Sequence, residues 1–360
     1  MEKQGVHLDR SGNSFWAIYI FLFTLLGSGG LLSILSQDVV EVKQTKITHE
    51  YLTVMEQVNT LRGQDPAKAI GLLGDLLAKT DSRFERFQII FWELPALYCE
   101  LGKFREGFDV LKNGQQEGFF YPFMLGENKF PPHVGHFENF ADFSSFLAEN
   151  KRLRSEEQQK ANFEYIVRTP KNYLPEKKYP LLMVLCGGFG SHLQQTLDWR
   201  SPKLESEYIV AYLQGDQCQG SFLRSYQREN VDQMVAAYRQ IAMKYSVDSG
   251  RVFIGAQSAG AHHSLKLMLE ELIPVKGVIL AFPGTPQLDE ALLKKAAERV
   301  VKISILAGEN DPRIIRTKEM AVTLDKCGLP NRFIVFSEKG HEFPDDFPKQ
   351  IDLSLAFIDQ

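Results

Sequence analysis

The stretch RVFIGAQSAGAHHSLKL, Arg251 to Leu267, constrains the fold more than any other part of the chain. Val252, Phe253 and Ile254 form a short apolar run of the kind that makes a buried strand. The apolar spacing through Leu265, Met268 and Leu272 predicts a helix. Between them stand Ala256, Ser258, Ala259 and Gly260. A serine lifted from a strand end onto a helix start needs small neighbours, because the backbone turns too tightly for bulk on either side. The amide after the serine then points where an oxyanion can meet it.

Three further segments have the chemistry such a serine needs. Val301 to Ala307 reads as a buried strand opening into Gly308, Glu309, Asn310, Asp311 and Pro312, which sets a carboxylate just past a strand end. Asp311 is the candidate acid and Glu309 its neighbouring rival; as an ordinary turn residue, Asp311 is also explained by Asn-Asp-Pro. Arg332 to Phe336 reads as the last strand, and Gly340 and His341 follow it. His341 is the candidate base, against the plainer reading of a solvated loop histidine. Upstream, the core strand Tyr179 to Leu185 runs into Cys186, Gly187, Gly188, Phe189 and Gly190. Neither the P-loop pattern nor G-x-G-x-x-G is matched there, so phosphate binding has no support.

The pentapeptide Ala256 to Gly260 resembles the nucleophile elbow of the α/β-hydrolases, usually G-x-S-x-G, with Ala256 where the first glycine is usual. The resemblance covers roughly Ala161 to Gln360 and rests on four separate motifs. It implies the chain order serine, acid, histidine, hence Ser258, Asp311 and His341 as a catalytic triad. It also implies an oxyanion hole from the amides of Gly188 and Ala259. Cys186 stands where the family's His-Gly-x-Gly loop carries histidine, which leaves open what anchors that loop. The expected fold is a mostly parallel sheet covered by helices on both faces, preceded by a small all-α helical-hairpin domain. The expected function is an exported serine esterase of the feruloyl-esterase and polyhydroxybutyrate-depolymerase kind. It would cleave small-molecule or polymer-derived esters through an acyl-enzyme, without a cofactor. A peptidase of the prolyl-oligopeptidase type shares the triad order. A catalytically silent hydrolase-fold binding module is a third reading, supported by the departures at Cys186 and Ala256.

Composition bounds these readings. With 44% hydrophobic and 24% charged residues the chain is globular, and a net charge of −4 gives no electrostatic case for nucleic acid. Cys99, Cys186, Cys218 and Cys327 lack metal spacing and imply no disulfide framework, although a Cys218–Cys327 bridge stays open. His262 and His263 are adjacent, so they do not face one ion from a helix, and they read as a solvent-facing helix start. No metal site is expected.

Three sections follow in order: 1–36 as signal peptide or single membrane anchor, 37–155 as a helical domain with an aromatic connector, and 156–360 as the catalytic domain. Phe15 to Leu26 is almost wholly apolar; counted through Leu35 the stretch spans roughly 30 Å as a helix, enough for a bilayer. Either reading exports the remainder. Ile47, Tyr51, Val54, Val58 and Leu61 form one helical stripe, Asp65-Pro66 reads as a helix start, and Ser82 with Glu85 as a capping box. Phe91 to Gly114 resembles a tetratricopeptide repeat, except that Pro95 should kink or end its first helix. Such helices imply a packing accessory, or a surface for a protein partner. Phenylalanines between Phe119 and Phe146 read as an aromatic-packed connector, with a lipid-facing patch as the alternative. Substrate loops are expected at Gln214 to Arg228 and after Ala281, with Trp199, Asp216 and Arg224 read as surface residues and pocket lining as their alternative.

Overall fold

The computed structural model describes residues 39–360 apart from 44, 46, 127 and 128. The expected signal or anchor segment, residues 1–36, lies outside the described residues. Among the described residues no helix is long and apolar enough to cross a membrane.

The strands are β1 (Val39–Glu41), β2 (Phe163–Arg168), β3 (Tyr179–Leu185), β4 (Ile209–Gln214), β5 (Gln217–Gly220), β6 (Leu223–Ser225), β7 (Val247–Gln257), β8 (Val275–Ala281), β9 (Lys302–Gly308) and β10 (Asn331–Phe336). Eight of them form one sheet in the order β1-β2-β4-β3-β7-β8-β9-β10, and β5 with β6 makes a separate antiparallel ribbon. From β4 to β10 all pairings are parallel, whereas β2 runs antiparallel to β4. This is the α/β-hydrolase fold. β3 is apolar and buried along its whole length, and β7 from Val252 to Ala256, because both faces of the sheet are covered there. Along β3, Leu181, Met183 and Leu185 pack with Ile254, Leu265 and Met268 on one face. Leu182 and Val184 pack with Phe253, Trp199 and Leu355 on the other.

The strand order fixes where chemistry can happen. From β3 the chain leaves toward β4, and from its neighbour β7 it leaves the other way, toward β8. A crevice opens outside the carboxyl ends of two such strands. The loop at Cys186 and the turn at Ser258 are the segments that leave there.

Before the sheet come helices His49–Leu61, Pro66–Lys79, Arg83–Gln88, Leu94–Glu100, Phe104–Gln116 and Phe143–Gln158. Asp65 caps its helix by accepting from the Lys68 amide at 3.0 Å, with Pro66 in the first turn. The expected capping box forms by half. Ser82 Oγ accepts from the Glu85 amide at 3.4 Å, but the Glu85 carboxylate is taken by the Thr48 amide and the Thr80 hydroxyl, both at 2.6 Å. Pro95 does not end its helix either. A π turn at Ile89–Glu93 widens the backbone around Phe91, whose carbonyl Pro95 has no N–H to meet, and the helix runs on to Glu100. The helix after it crosses closely at Gly107, where an added Cβ would lie 3.2 Å from the Pro95 carbonyl.

The phenylalanines of the connector face inward. Tyr121 stacks on Phe91 at 5.4 Å and Phe87 at 6.2 Å, and Phe119, Phe137, Phe143 and Phe146 are buried in the same cluster. A lipid-facing patch is therefore not what these side chains form. Phe222, between β5 and β6, packs on Phe84 and Phe87 at 5.7 and 5.8 Å, which ties the helices to the sheet.

At the opposite end the helix Phe347–Ile358 lies against β8 and β9. It is pinned by Asp359, which receives Arg251 Nε at 2.9 Å and the Tyr208 hydroxyl at 3.0 Å. Burial alone would raise the Asp359 carboxyl, but the Arg251 and Tyr208 hydrogen bonds outweigh it and hold the group below its ordinary range. A depressed carboxylate adds stability above its unfolded pKa, and that stability is lost as pH falls through the folded value. Asp359→Asn is therefore expected to cost about 1–3 kcal/mol at neutral pH, with the gap to wild type closing below about pH 4. Urea unfolding at pH 7 and pH 3 measures both arms.

Candidate active site

Ser258 follows the last residue of β7 with φ +49°, in the left-handed region that costs a residue with a side chain roughly 1–2 kcal/mol. The strain is held by hydrogen bonds on both sides. The Ser258 amide donates to the Ala281 carbonyl at 3.1 Å, and its carbonyl accepts from the Gly284 amide at 2.8 Å. Gly260 admits no side chain, because a Cβ there would lie 2.7 Å from the Cys186 carbonyl and 2.9 Å from that of Leu185. The helix Gly260–Leu269 thus starts against the end of β3. Ala256 needs no such clearance: it is fully buried, and its methyl group belongs to the core beneath the sheet.

The three residues singled out from separate loops meet here. His341 Nε2 lies 3.0 Å from Ser258 Oγ, and His341 Nδ1 lies 2.6 Å from Asp311 Oδ2. With Nδ1–H donated to Asp311, Nε2 is left to accept the serine proton. Asp311 is buried, and its other oxygen accepts from the Arg313 amide at 2.9 Å. Burial pushes the Asp311 carboxyl up. The hydrogen bonds from His341 and the Arg313 amide overcome that and keep it below the ordinary carboxylate range. Glu309 is turned elsewhere, accepting from the Glu338 amide at 3.2 Å.

Gly188 and Ala259 are neighbours across the site, since a Cβ on Gly188 would lie 3.9 Å from Ala259 Cβ. Among the hydrogen bonds of the described residues neither amide donates to another protein group. The anchoring left open by Cys186 is supplied by three contacts. Its amide donates to the Tyr226 hydroxyl at 3.0 Å, that hydroxyl donates to the Leu213 carbonyl at 2.7 Å, and Cys186 Sγ donates to the same carbonyl at 3.1 Å. Burial pushes the Cys186 thiol up to about 12, so it acts as a neutral donor. Gly190 then pairs with Arg224 through two backbone hydrogen bonds of 3.2 and 2.9 Å.

Several contributors were invisible in the sequence. Arg313 brings its guanidinium within 3.0 Å of His341 Nδ1 and 3.5 Å of Asp311 Oδ1. Its position two residues after Asp311 was the only hint. Phe282, at φ +49° past the end of β8, sets its ring 6.1 Å from the imidazole. Trp199, Asp216 and Arg224, expected at the surface, are buried. Trp199 lies under β7, where a Cβ on Gly255 would come within 2.4 Å of its ring. Asp216 accepts from Gln227 at 3.1 Å, and Arg224 pairs with Glu157 at 3.3 Å. His263 is half-buried rather than solvent-facing, with Nε2 3.1 Å from the Gln227 carbonyl, while His262 is exposed. All four cysteines are unpaired thiols, and no His, Cys, Asp or Glu cluster fit for a metal occurs among the described residues.

A cleft of about 760 Å³ adjoins the site. Helix His49–Leu61 and the π turn wall one side, residues 189–198 the other, and Gln257, the residue before the serine, lies between.

No protein-family model matches the chain, and no curated protein matches it. Solved structures similar to it include an uncharacterized protein from Bacillus cereus ATCC 10987, at 21% identity and TM-score 0.48, over 86% of this chain and 98% of that one. A carboxylesterase of Bacillus cereus is 19% identical with TM-score 0.42, over 56% of this chain and 97% of its own. A dipeptidyl peptidase 4 from Porphyromonas gingivalis is 19% identical with TM-score 0.41, over 53% of this chain and 33% of its own.

Proposed function

We propose that the protein is a serine hydrolase that cleaves carboxylic esters through an acyl-enzyme. The observation that carries this reading is the unbroken chain from Ser258 Oγ to His341 Nε2 and from His341 Nδ1 to Asp311 Oδ2. In the first step His341 takes the proton as Ser258 Oγ bonds to the carbonyl carbon, and the amides of Gly188 and Ala259 meet the oxyanion. The imidazolium returns its proton to the departing alkoxide, which leaves as the alcohol. Water then repeats the sequence on the acyl-enzyme and releases the acid. Asp311 remains ionised throughout, which its depressed pKa favours.

The two departures from the usual motifs are accommodated and so give a silent module no support. Ala256 is absorbed by the core, and the loop at Cys186 has its own anchors in Tyr226 and Leu213.

Wild-type protein is expected to be labelled by a fluorophosphonate probe and to turn over a nitrophenyl ester faster than the matched anilide. Ser258→Ala is expected to lose the label and about 10⁴–10⁶-fold in kcat. Labelling of the Ser258→Ala variant at wild-type level would sink the assignment, and cleavage confined to the anilide would favour a peptidase. Asp311→Asn should lower kcat by about 10⁴-fold with the fold intact, because the imidazole loses the partner that fixes its tautomer. Glu309→Gln should stay within about threefold of wild type; a reversed ranking in the same stopped-flow assay would move the acid to Glu309.

A further inference from the structure

The cleft beside the oxyanion loop has a charge pattern that triad chemistry does not use. Its charged lining residues are Arg62, Glu93 and Asp198. Arg62 is paired with Glu93 and lies 3.5 Å from Glu100, so it is already neutralised. Asp198 has no such partner: among the described residues no cation lies within ion-pair distance, and its side chain accepts one hydrogen bond, from Gln194 Nε2 at 2.9 Å. Burial pushes its carboxyl up to about 6, the behaviour of an anion that lacks a counter-charge.

Two buried polar groups on the same wall also lack partners. Gln195 and Ser191 are each 2% exposed, and Gln195 Oε1 and Ser191 Oγ make no hydrogen bond. The Gln195 amide nitrogen is spent on Gln257 Oε1 at 2.9 Å, so what Gln195 still offers is an acceptor. Both unpaired atoms are enclosed by protein, so they add polarity behind this wall without reaching into the cleft. Trp92 stands on the opposite wall and Phe189 at the near end of the Asp198 wall, and Phe130 joins them, stacking on Phe189 at 5.5 Å and meeting Trp92 edge-on at 5.7 Å. An uncompensated carboxylate and aromatic rings lining one cleft together suit one ligand chemistry, an ammonium group.

We propose that this cleft binds a positively charged ammonium group of the substrate, with Asp198 as its counter-charge and Trp92 and Phe189 as its aromatic wall. The proposal rests on the serine-hydrolase reading, because the cleft borders the nucleophile through Gln257 and the Phe189–Gly190 end of the oxyanion loop. The substrate class is then an ester with an amino or quaternary ammonium group on its acyl or alcohol part.

Two ester pairs test this. One compares 4-nitrophenyl 6-aminohexanoate with 4-nitrophenyl heptanoate; the other compares the acetyl ester of 2-(trimethylammonio)ethanol with that of 3,3-dimethylbutanol. Wild-type protein is expected to prefer the cationic member of at least one pair by about tenfold or more in kcat/KM. The ratio should collapse toward unity in Asp198→Asn. Tetramethylammonium should compete with the neutral ester in wild-type protein, beyond the effect of sodium at equal ionic strength, which reads the same site if the variant fails to fold. Equal turnover within both pairs, a preference that survives Asp198→Asn, or absence of competition overturns the ammonium site and leaves the hydrolase reading standing. Loss of all ester turnover and of fluorophosphonate labelling in wild-type protein overturns the hydrolase reading itself.

Discussion

The site depends on one backbone conformation, the left-handed turn at Ser258, held where β7 gives way to the helix behind it. That turn is unfavourable alone. It persists because the hydrogen bonds to Ala281 and from Gly284 fix both sides of the peptide, and because Gly260 lets the helix start within contact of the end of β3. The same close approach brings the loop at Cys186 against the serine, so that one crossing sets both Ser258 and the amides opposite it. The covered sheet below makes this rigid: β3 and β7 are buried on both faces and cannot shift without opening two cores.

Electrostatics completes the arrangement. Asp311 is removed from water, which by itself favours its neutral form, and is returned to the charged form by donors from His341 and the Arg313 amide. The carboxyl's low pKa is therefore the work of those donors, since burial acts against it. The half-buried Arg313 guanidinium lies beside the pair, 3.5 Å from Asp311 Oδ1, which sets a positive charge against the carboxylate where the two loops meet. Behind the histidine loop, Asp359 plays the mechanical counterpart by fastening the last helix to Arg251 at the start of the β7 apolar run.

Much of this was legible along the chain. β3, β9 and the second half of β7 were readable as apolar runs because a parallel sheet covered on both faces demands them. Ser258, Asp311 and His341 were readable because each sits just past such a run among small or turn-forming residues. What escaped has physical causes. The strand β1 and the ribbon of β5 and β6 are too short to show a period. Trp199 and Arg224 looked like surface residues since nothing local announces burial. The helix through Pro95 survived because a π turn, which has no sequence signature here, absorbed the missing donor. Ser82 and Glu85 matched a local motif, yet Glu85 found partners 37 and 5 residues away that compete better for its carboxylate.

The sequence by itself determined the order of elements and the sheet class, which depend on local periodicity and chain order, and its resemblance to a known family narrowed the meeting residues to Ser258, His341 and one of two carboxylates on a single loop. Tertiary structure alone decided between Asp311 and Glu309, two residues apart on one loop, because that choice is a matter of which carboxylate meets the imidazole. It alone showed that Tyr226 and Leu213 take over the anchoring that a histidine would supply, and that Asp198 stands in a cleft without a counter-charge. Those facts join residues distant in the chain, and contact between distant residues is fixed by packing rather than by any pattern a linear chain displays.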